Sequence, residues 1–187
     1  AYLIFHSTFW PNKNHIRLLK AFSKFLSLSK SNIKLAVVGK FQKMRNSISE
    51  ILSKYNLRGK VVFTNFIPDD ELNVLLSNAL AFVHPSLYEG FGMPVIEAMT
   101  AGVPVICSNA GSLPEVAGDA ALFFDPYNVD EIAAAMKRIV EDEGLRRELI
   151  QKGYKQAAKF ADADKMVDEY IEVFEEVMAQ NEKNYKK

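Results

Sequence analysis

The chain has 187 residues, 49% hydrophobic and 25% charged, a balance typical of a soluble globular domain. It excludes a disordered tail, a collagen-like fibre and a small disulfide scaffold, and every apolar run falls far short of the ~18 residues that span a bilayer. Net charge is zero but segregated: residues 1–60 carry twelve Lys or Arg against one acid, Glu50, whereas residues 61–136 carry ten acids and no Lys or Arg.

In chain order, short apolar strands at Leu3–His6, Lys34–Val38, Val61–Thr64, Leu80–His84, Val103–Cys107 and Ala121–Phe124 alternate with amphipathic helices. The helices are expected at Asn14–Leu28, Gln42–Tyr55, Asp69–Ser77, Pro94–Thr100 and Val129–Glu141, from apolar residues at three- and four-residue steps. Several strands are nearly continuous apolar runs, as in a parallel sheet buried on both faces. The repeated strand–helix unit implies an α/β fold, a Rossmann-like doubly wound sheet of about six strands with right-handed crossovers. Ligands of such sheets sit beyond the carboxyl ends of the strands. After residue 143 only helices are expected, Leu145–Phe160 and Asp162–Gln180. The second turns Met166, Tyr170, Val173, Phe174 and Val177 inward, and a polar tail, NEKNYKK, frays. The whole chain reads as one domain. Because strand-like sequence starts at Ala1 without a leader, it reads as part of a longer protein.

The cations Arg17, Lys20 and Lys24 recur at helical spacing without interleaved aromatics, which fits a solvated helix face rather than a nucleic-acid surface. An anion bound by the acidic middle must then be neutralised by backbone N–H groups or by a cation reaching in from the first sixty residues. The lone Cys107 has no disulfide partner, fits a reducing compartment and reads as a core strand residue.

The densest signal is HPSLYEGFGMPVIEAMTAGVPVICSNAG, residues 84–111. A strand runs into Gly90-Phe91-Gly92, and a helix opens at Pro94, where a missing N–H costs nothing. N–H groups of the loop and helix start favour an anion such as phosphate. A plain strand–turn–helix accounts for the glycines equally well, since Val95 stands where a dinucleotide fingerprint needs its third glycine. Two carboxylates flank the loop. Glu97 can stabilise the helix start or accept from paired ribose hydroxyls, and Glu89 would face a sugar or its leaving phosphate.

Glu89 to Glu97 forms an E-x7-E motif, and EGFGMPVIEAM resembles the donor site of retaining glycosyltransferases of the GT-B fold, glycosyltransferase family 4. The resemblance continues through AGVPVICSNAGSLPEVAGDAA at 101–121, LRREL at 145–149 and PNKNH at 11–15, and so covers nearly the whole chain. It implies a C-terminal, nucleotide-sugar-binding domain, half of a GT-B fold, whose acceptor-binding N-terminal domain lies outside this chain. Glu97 would hold the ribose. Glu89, with Gly90, Phe91, Gly92 and Met93, would contact the transferred sugar and the diphosphate. Lys13 would neutralise the diphosphate, and Phe66 and Ile67 would cradle the base. Ser7 would line the site where many members carry an arginine, so part of the usual cationic clamp is absent or supplied by another basic residue.

The implied reaction passes a hexosyl unit from a nucleoside diphosphate sugar to a glycan or lipid-linked acceptor, with no metal or other cofactor and no nucleic acid. The implied setting is cytoplasmic, with peripheral membrane contact open to a longer protein. A degenerate nucleotide-binding scaffold and a nucleotide-sugar 2-epimerase are the rival readings. The remaining candidates read as structural. His84 is a buried strand-end histidine or a helper toward the sugar, and His6 and His15 are too scattered to form a metal set with it. Glu115 caps a helix start. Asp162-Ala163-Asp164 mimics a D-x-D metal motif but fits an N-cap at Asp162.

Overall fold

The computed structural model describes residues 1–29, 31–40, 45–161 and 163–185. They form two compact units, Ala1–Ala157 and Ala158–Lys187.

The first unit is built on a six-stranded, wholly parallel sheet: β1 (Tyr2–His6), β2 (Lys34–Val38), β3 (Val61–Thr64), β4 (Ala81–His84), β5 (Val105–Ser108) and β6 (Ala121–Phe124). Its spatial order is β3-β2-β1-β4-β5-β6. The order reverses between β1 and β4, so a crevice opens at their carboxyl ends, where His6 and His84 are the terminal residues.

Among the described residues of this unit the α-helices are α1 (His15–Ser29), α2 (Arg45–Lys54), α3 (Asp69–Ser77), α4 (Met93–Thr100), α5 (Leu113–Ala117), α6 (Val129–Glu141) and α7 (Glu143–Ala158). Apolar side chains on the two sheet faces form two cores. Leu18, Leu19, Phe22 and Phe25 of α1 join Ile132, Met136 and Ile139 of α6 in one. Leu76 of α3, Val95, Ile96 and Met99 of α4 and Leu113 and Val116 of α5 join the other. β4, buried at every residue, lies between them, as its unbroken apolar run requires.

The boundaries differ from expectation where the backbone does something special. α1 starts at His15 rather than Asn14, because Asn14 adopts a left-handed φ of 60° and closes a 3-10 turn over Pro11–Lys13. β5 starts at Val105, not Val103: the Val103 N–H donates to the Ala98 carbonyl and completes the end of α4, and Pro104 has no N–H to give a ladder. α5 is the short helix whose start was expected at Glu115, which lies in its first turn. Of the expected Gln42–Tyr55 helix, residues 42–44 lie outside the described residues.

The second unit contains α8 (Ala163–Tyr185), which continues through most of the tail expected to fray. Asp162, expected as its N-cap, lies outside the described residues, and the Met166 side chain is not among those described. Tyr170, Val173, Phe174 and Val177, expected to face inward, are exposed. Among the described residues no helix is long and apolar enough to cross a membrane.

Candidate functional site

The loop after β1 carries Lys13 on its 3-10 turn and is fastened to the loop after β4. The Leu87 N–H donates to the Asn12 carbonyl at 2.7 Å. The buried Asn14 amide donates to the carbonyls of Pro85 (3.0 Å) and Pro126 (2.8 Å). Left-handed φ is tolerated best by glycine and asparagine. Only asparagine also supplies that amide, so one residue turns the chain and ties three loops.

This fastening brings Lys13 to Glu89, with Nζ 2.6 Å from Oε1 and both side chains largely buried. The same oxygen lies 2.9 Å from His84 Nε2. Burial keeps His84 below its ordinary pKa, although the Glu89 carboxylate pulls the other way. The ring is therefore neutral near pH 7, and its contact with Glu89 assigns the hydrogen to Nε2. Burial pushes the Glu89 carboxyl up, but hydrogen bonds from His84, Lys13 and Ser86 outweigh it and hold the pKa at about 2. Glu89 is thus a fixed anion at physiological pH and has no proton to give as a general acid.

The carbonyls of Glu89 and Phe91 accept from Ser112 Oγ at 3.1 and 2.8 Å. Gly111 (φ 61°) lets the chain pass so near that a Cβ there would lie 2.9 Å from the Glu89 carbonyl oxygen. Gly92 (φ 103°) caps the start of α4, and a Cβ on it would strike Leu113 at 2.7 Å. Gly90 stands in open space, and Phe91 and Met93 are exposed. The glycines accordingly shape the loop that presents Glu89.

A cleft of about 620 Å³ runs along the carboxyl ends of β3, β2 and β1. Ser7, Phe66 and Ile67 line it, together with His6, Gly39, Lys40 and Asp69. Lys40 holds its Nζ 5.6 Å from the centre of the Phe66 ring, placing a cation in the cleft that Ser7 also lines. Ser7 Oγ instead meets His15 Nε2 at 3.4 Å, and His15 stacks on Phe9. Glu97 reaches over from α4, with Oε2 3.5 Å from His6 Nε2. Its pKa is raised by burial and by Asp69. Glu97 and Met93 also border a neighbouring groove between α3 and α4. The candidates therefore gather at one crevice in two groups, Lys13–Glu89 at β1/β4 and Ser7–Phe66–Ile67 along β1–β3, with Glu97 beside the end of β1.

Three contributors were not legible as site residues. His84 was seen only as a buried histidine or sugar helper, and its grip on Glu89 depends on the loop fold. His6 and Lys40 stand at or just after strand ends of a doubly wound sheet, which is the one sequence signal that pointed to them. Cys107 is wholly buried, with its thiol pKa raised by burial, and has no place in the crevice.

The family model described as "Glycosyl transferases group 1" matches residues 1–156. O-antigen chain mannosyltransferase B of Escherichia coli is 36% identical over 161 residues, covering 86% of this chain and 42% of that protein. The serotype-specific mannosyltransferase WbdA, also of Escherichia coli, is 36% identical over 153 residues, covering 81% of this chain and 19% of that protein. Among solved structures, sucrose-phosphate synthase of Thermosynechococcus elongatus superposes with a TM-score of 0.83 at 26% identity, covering 96% of this chain and 46% of that one. The chain belongs to the group 1 glycosyl transferases, and it spans less than half the length of these relatives.

Proposed function

We propose that this member of the group 1 glycosyl transferases is the donor-binding part of a retaining glycosyltransferase. It would transfer a hexosyl unit from a nucleoside diphosphate sugar to a glycan or lipid-linked acceptor held mainly by chain outside these residues. The relatives' names make mannose the first sugar to test. The observation that carries the reading is the Lys13–Glu89–His84 cluster at the sheet's switch point, beside a cleft long enough for a nucleotide.

In this reading the base lies against Phe66 and Ile67, the ribose meets Glu97, and the diphosphate lies near Lys13 and the glycine loop. Lys13 and the N–H groups at the start of α4 stabilise the negative charge that grows on the departing diphosphate, and Lys40 supplies part of the clamp that Ser7 does not. Positive potential from these groups lets the reaction run without a resident metal. Glu89, ionised throughout, accepts hydrogen bonds from the sugar and fixes its orientation. The sugar–diphosphate bond breaks as the acceptor oxygen bonds to the face the diphosphate vacates, the acceptor's hydroxyl proton passing to the departing diphosphate oxygen, and attack on that face keeps the anomeric configuration. Such a protein works in the cytoplasm, where nucleotide sugars are available, with membrane contact supplied by its acceptor or the rest of the protein.

Thermal unfolding in the presence of UDP, GDP and ADP, with and without EDTA, tests the reading. A ligand that binds the folded state stabilises it by RT ln(1 + [L]/Kd), so a Kd of about 1 mM is visible at about 10 mM. One diphosphate should raise Tm, EDTA should leave the rise intact, and Glu97→Ala should abolish it. No rise with any diphosphate would overturn the donor-site reading, and a rise lost with EDTA would overturn its metal-free form.

A further inference from the structure

His6 is only 8% exposed, yet its ring forms part of the cleft wall. Its Nε2 is buried without a hydrogen-bond partner, an arrangement that native proteins rarely leave unexplained. Glu97 Oε2 is 3.5 Å away, too far for a hydrogen bond with good geometry. Phe82 fixes the ring from one side, with centroids 5.1 Å apart. Burial, reinforced by His84 and Lys13, holds the imidazole at a pKa of about 4, so it is neutral near pH 7. A neutral ring facing a carboxylate carries its hydrogen on the facing nitrogen, which makes Nε2–H a donor.

The position matches a ribose. Phe66 and Ile67 follow β3, Gly39 and Lys40 follow β2, His6 ends β1, and Glu89 follows β4. Three strand spacings separate β3 from β4, roughly 14 Å. A nucleoside diphosphate laid across them puts its ribose at the end of β1. There the imidazole nitrogen and a carboxylate oxygen stand 3.5 Å apart, so that one can meet each of two neighbouring hydroxyls on a five-membered ring.

On the donor-site reading above, we infer that His6 is a specificity-determining residue for the ribose. Its Nε2–H donates to one hydroxyl of the vicinal diol while the adjacent hydroxyl donates to Glu97. The pair selects ribonucleoside over deoxyribonucleoside diphosphates.

Calorimetric titration tests this with ADP, GDP and UDP and their 2′-deoxy and 3′-deoxy forms, on the wild type, His6→Phe and His6→Gln. One neutral hydrogen bond is worth roughly three- to tenfold in affinity. The wild type should prefer the best ribonucleoside diphosphate over both deoxy forms. His6→Phe keeps a ring against Phe82 and should erase one preference by weakening the ribo form and the deoxy form that keeps the same hydroxyl, while the form lacking that hydroxyl is unaffected. The other preference, which reports on Glu97, should persist. His6→Gln, whose amide can donate from a similar place, should restore part of the lost preference. His6→Ala serves the same comparison if the Phe variant does not fold. A His6 variant that weakens the ribo form and both deoxy forms by the same factor, or keeps both preferences, would overturn the inference alone. A wild type that binds none of the diphosphates would overturn the donor-site reading and this inference with it.

Discussion

Lys13 and Glu89 should behave as one energetic unit, and a double-mutant cycle measures that directly. The Glu89 carboxyl titrates at about 2 against an ordinary 4.5. The difference is worth about 3 kcal/mol in favour of the ionised form, reduced by water at the cleft mouth. Burial opposes ionisation, so hydrogen bonds from His84, Lys13 and Ser86, helped by the electrostatic pull of His84, supply the gain. With three donors sharing it, Lys13 accounts for about 1 kcal/mol or somewhat more. Lys13→Met leaves a largely buried carboxylate short of one partner and should cost about 1–3 kcal/mol. Glu89→Gln keeps an acceptor for both neighbours and should cost less. The double variant should be more stable than the two single losses predict, with a coupling of about 1–2 kcal/mol, because neither charge is left facing a neutral partner. Urea unfolding of the four proteins near pH 7 gives the coupling. Additivity to within about 0.5 kcal/mol would refute the idea that the contact is an ion pair shielded from water.

Acid should destabilise the fold in two stages. Burial first, then His84 and Lys13 for His6 and Lys13 for His15, holds both histidines at about 4 against an ordinary 6.5. The unfolded chain takes up these protons as pH falls through 6.5 and the folded chain only near 4, so stability rises with pH across that window and is lost as pH drops through it. The Glu89 contribution is lost lower, between 4.5 and about 2. Urea midpoints should fall steadily from pH 7 to 4.5, with a shallower slope in His15→Phe; equal slopes would contradict the assignment. Asn14→Ala should cost about 2–4 kcal/mol, since it strands two buried carbonyls and puts alanine at φ 60°. Asn14→Gly should recover about 1 kcal/mol of that by relieving the backbone, and equal losses in denaturant titrations would refute the backbone part.

The strands were readable because a parallel sheet covered on both faces needs unbroken apolar runs, as in Ala81–His84. The errors fall where local backbone chemistry overrides periodicity, at left-handed Asn14 and at Val103-Pro104. The stripe on α8 shows another limit: a period of 3.6 residues reveals that Tyr170, Phe174 and their neighbours share a face, but not what covers it. The crevice was legible in its parts. Charge segregation left backbone N–H groups or a cation from the first sixty residues to meet an anion, and the resemblance singled out Lys13. The grip of His84 on Glu89 follows from the path of five loop residues that carry no periodic pattern, so only the folded chain reveals it.

That grip bears on how the proposed reaction could proceed. In this structure Lys13 is paired with Glu89, so a diphosphate that recruits Lys13 must draw it from a carboxylate 2.6 Å away. Stripping a buried carboxylate of the cation beside it would ordinarily cost several kcal/mol. Glu89 keeps other partners, because Nε2 of His84 lies on the same oxygen at 2.9 Å and Ser86 also hydrogen-bonds to the carboxylate. These neutral donors are held by packing rather than by charge: His84 is wholly buried between strands, and the Ser86 carbonyl is fixed by Ser108 Oγ at 2.6 Å. Neither is drawn toward an incoming anion, so Lys13 can change partner while Glu89 stays ionised and in place to orient a sugar. A lysine alone would bind the diphosphate only by leaving Glu89 a bare charge, whereas the histidine and serine beneath it let binding and sugar orientation proceed together.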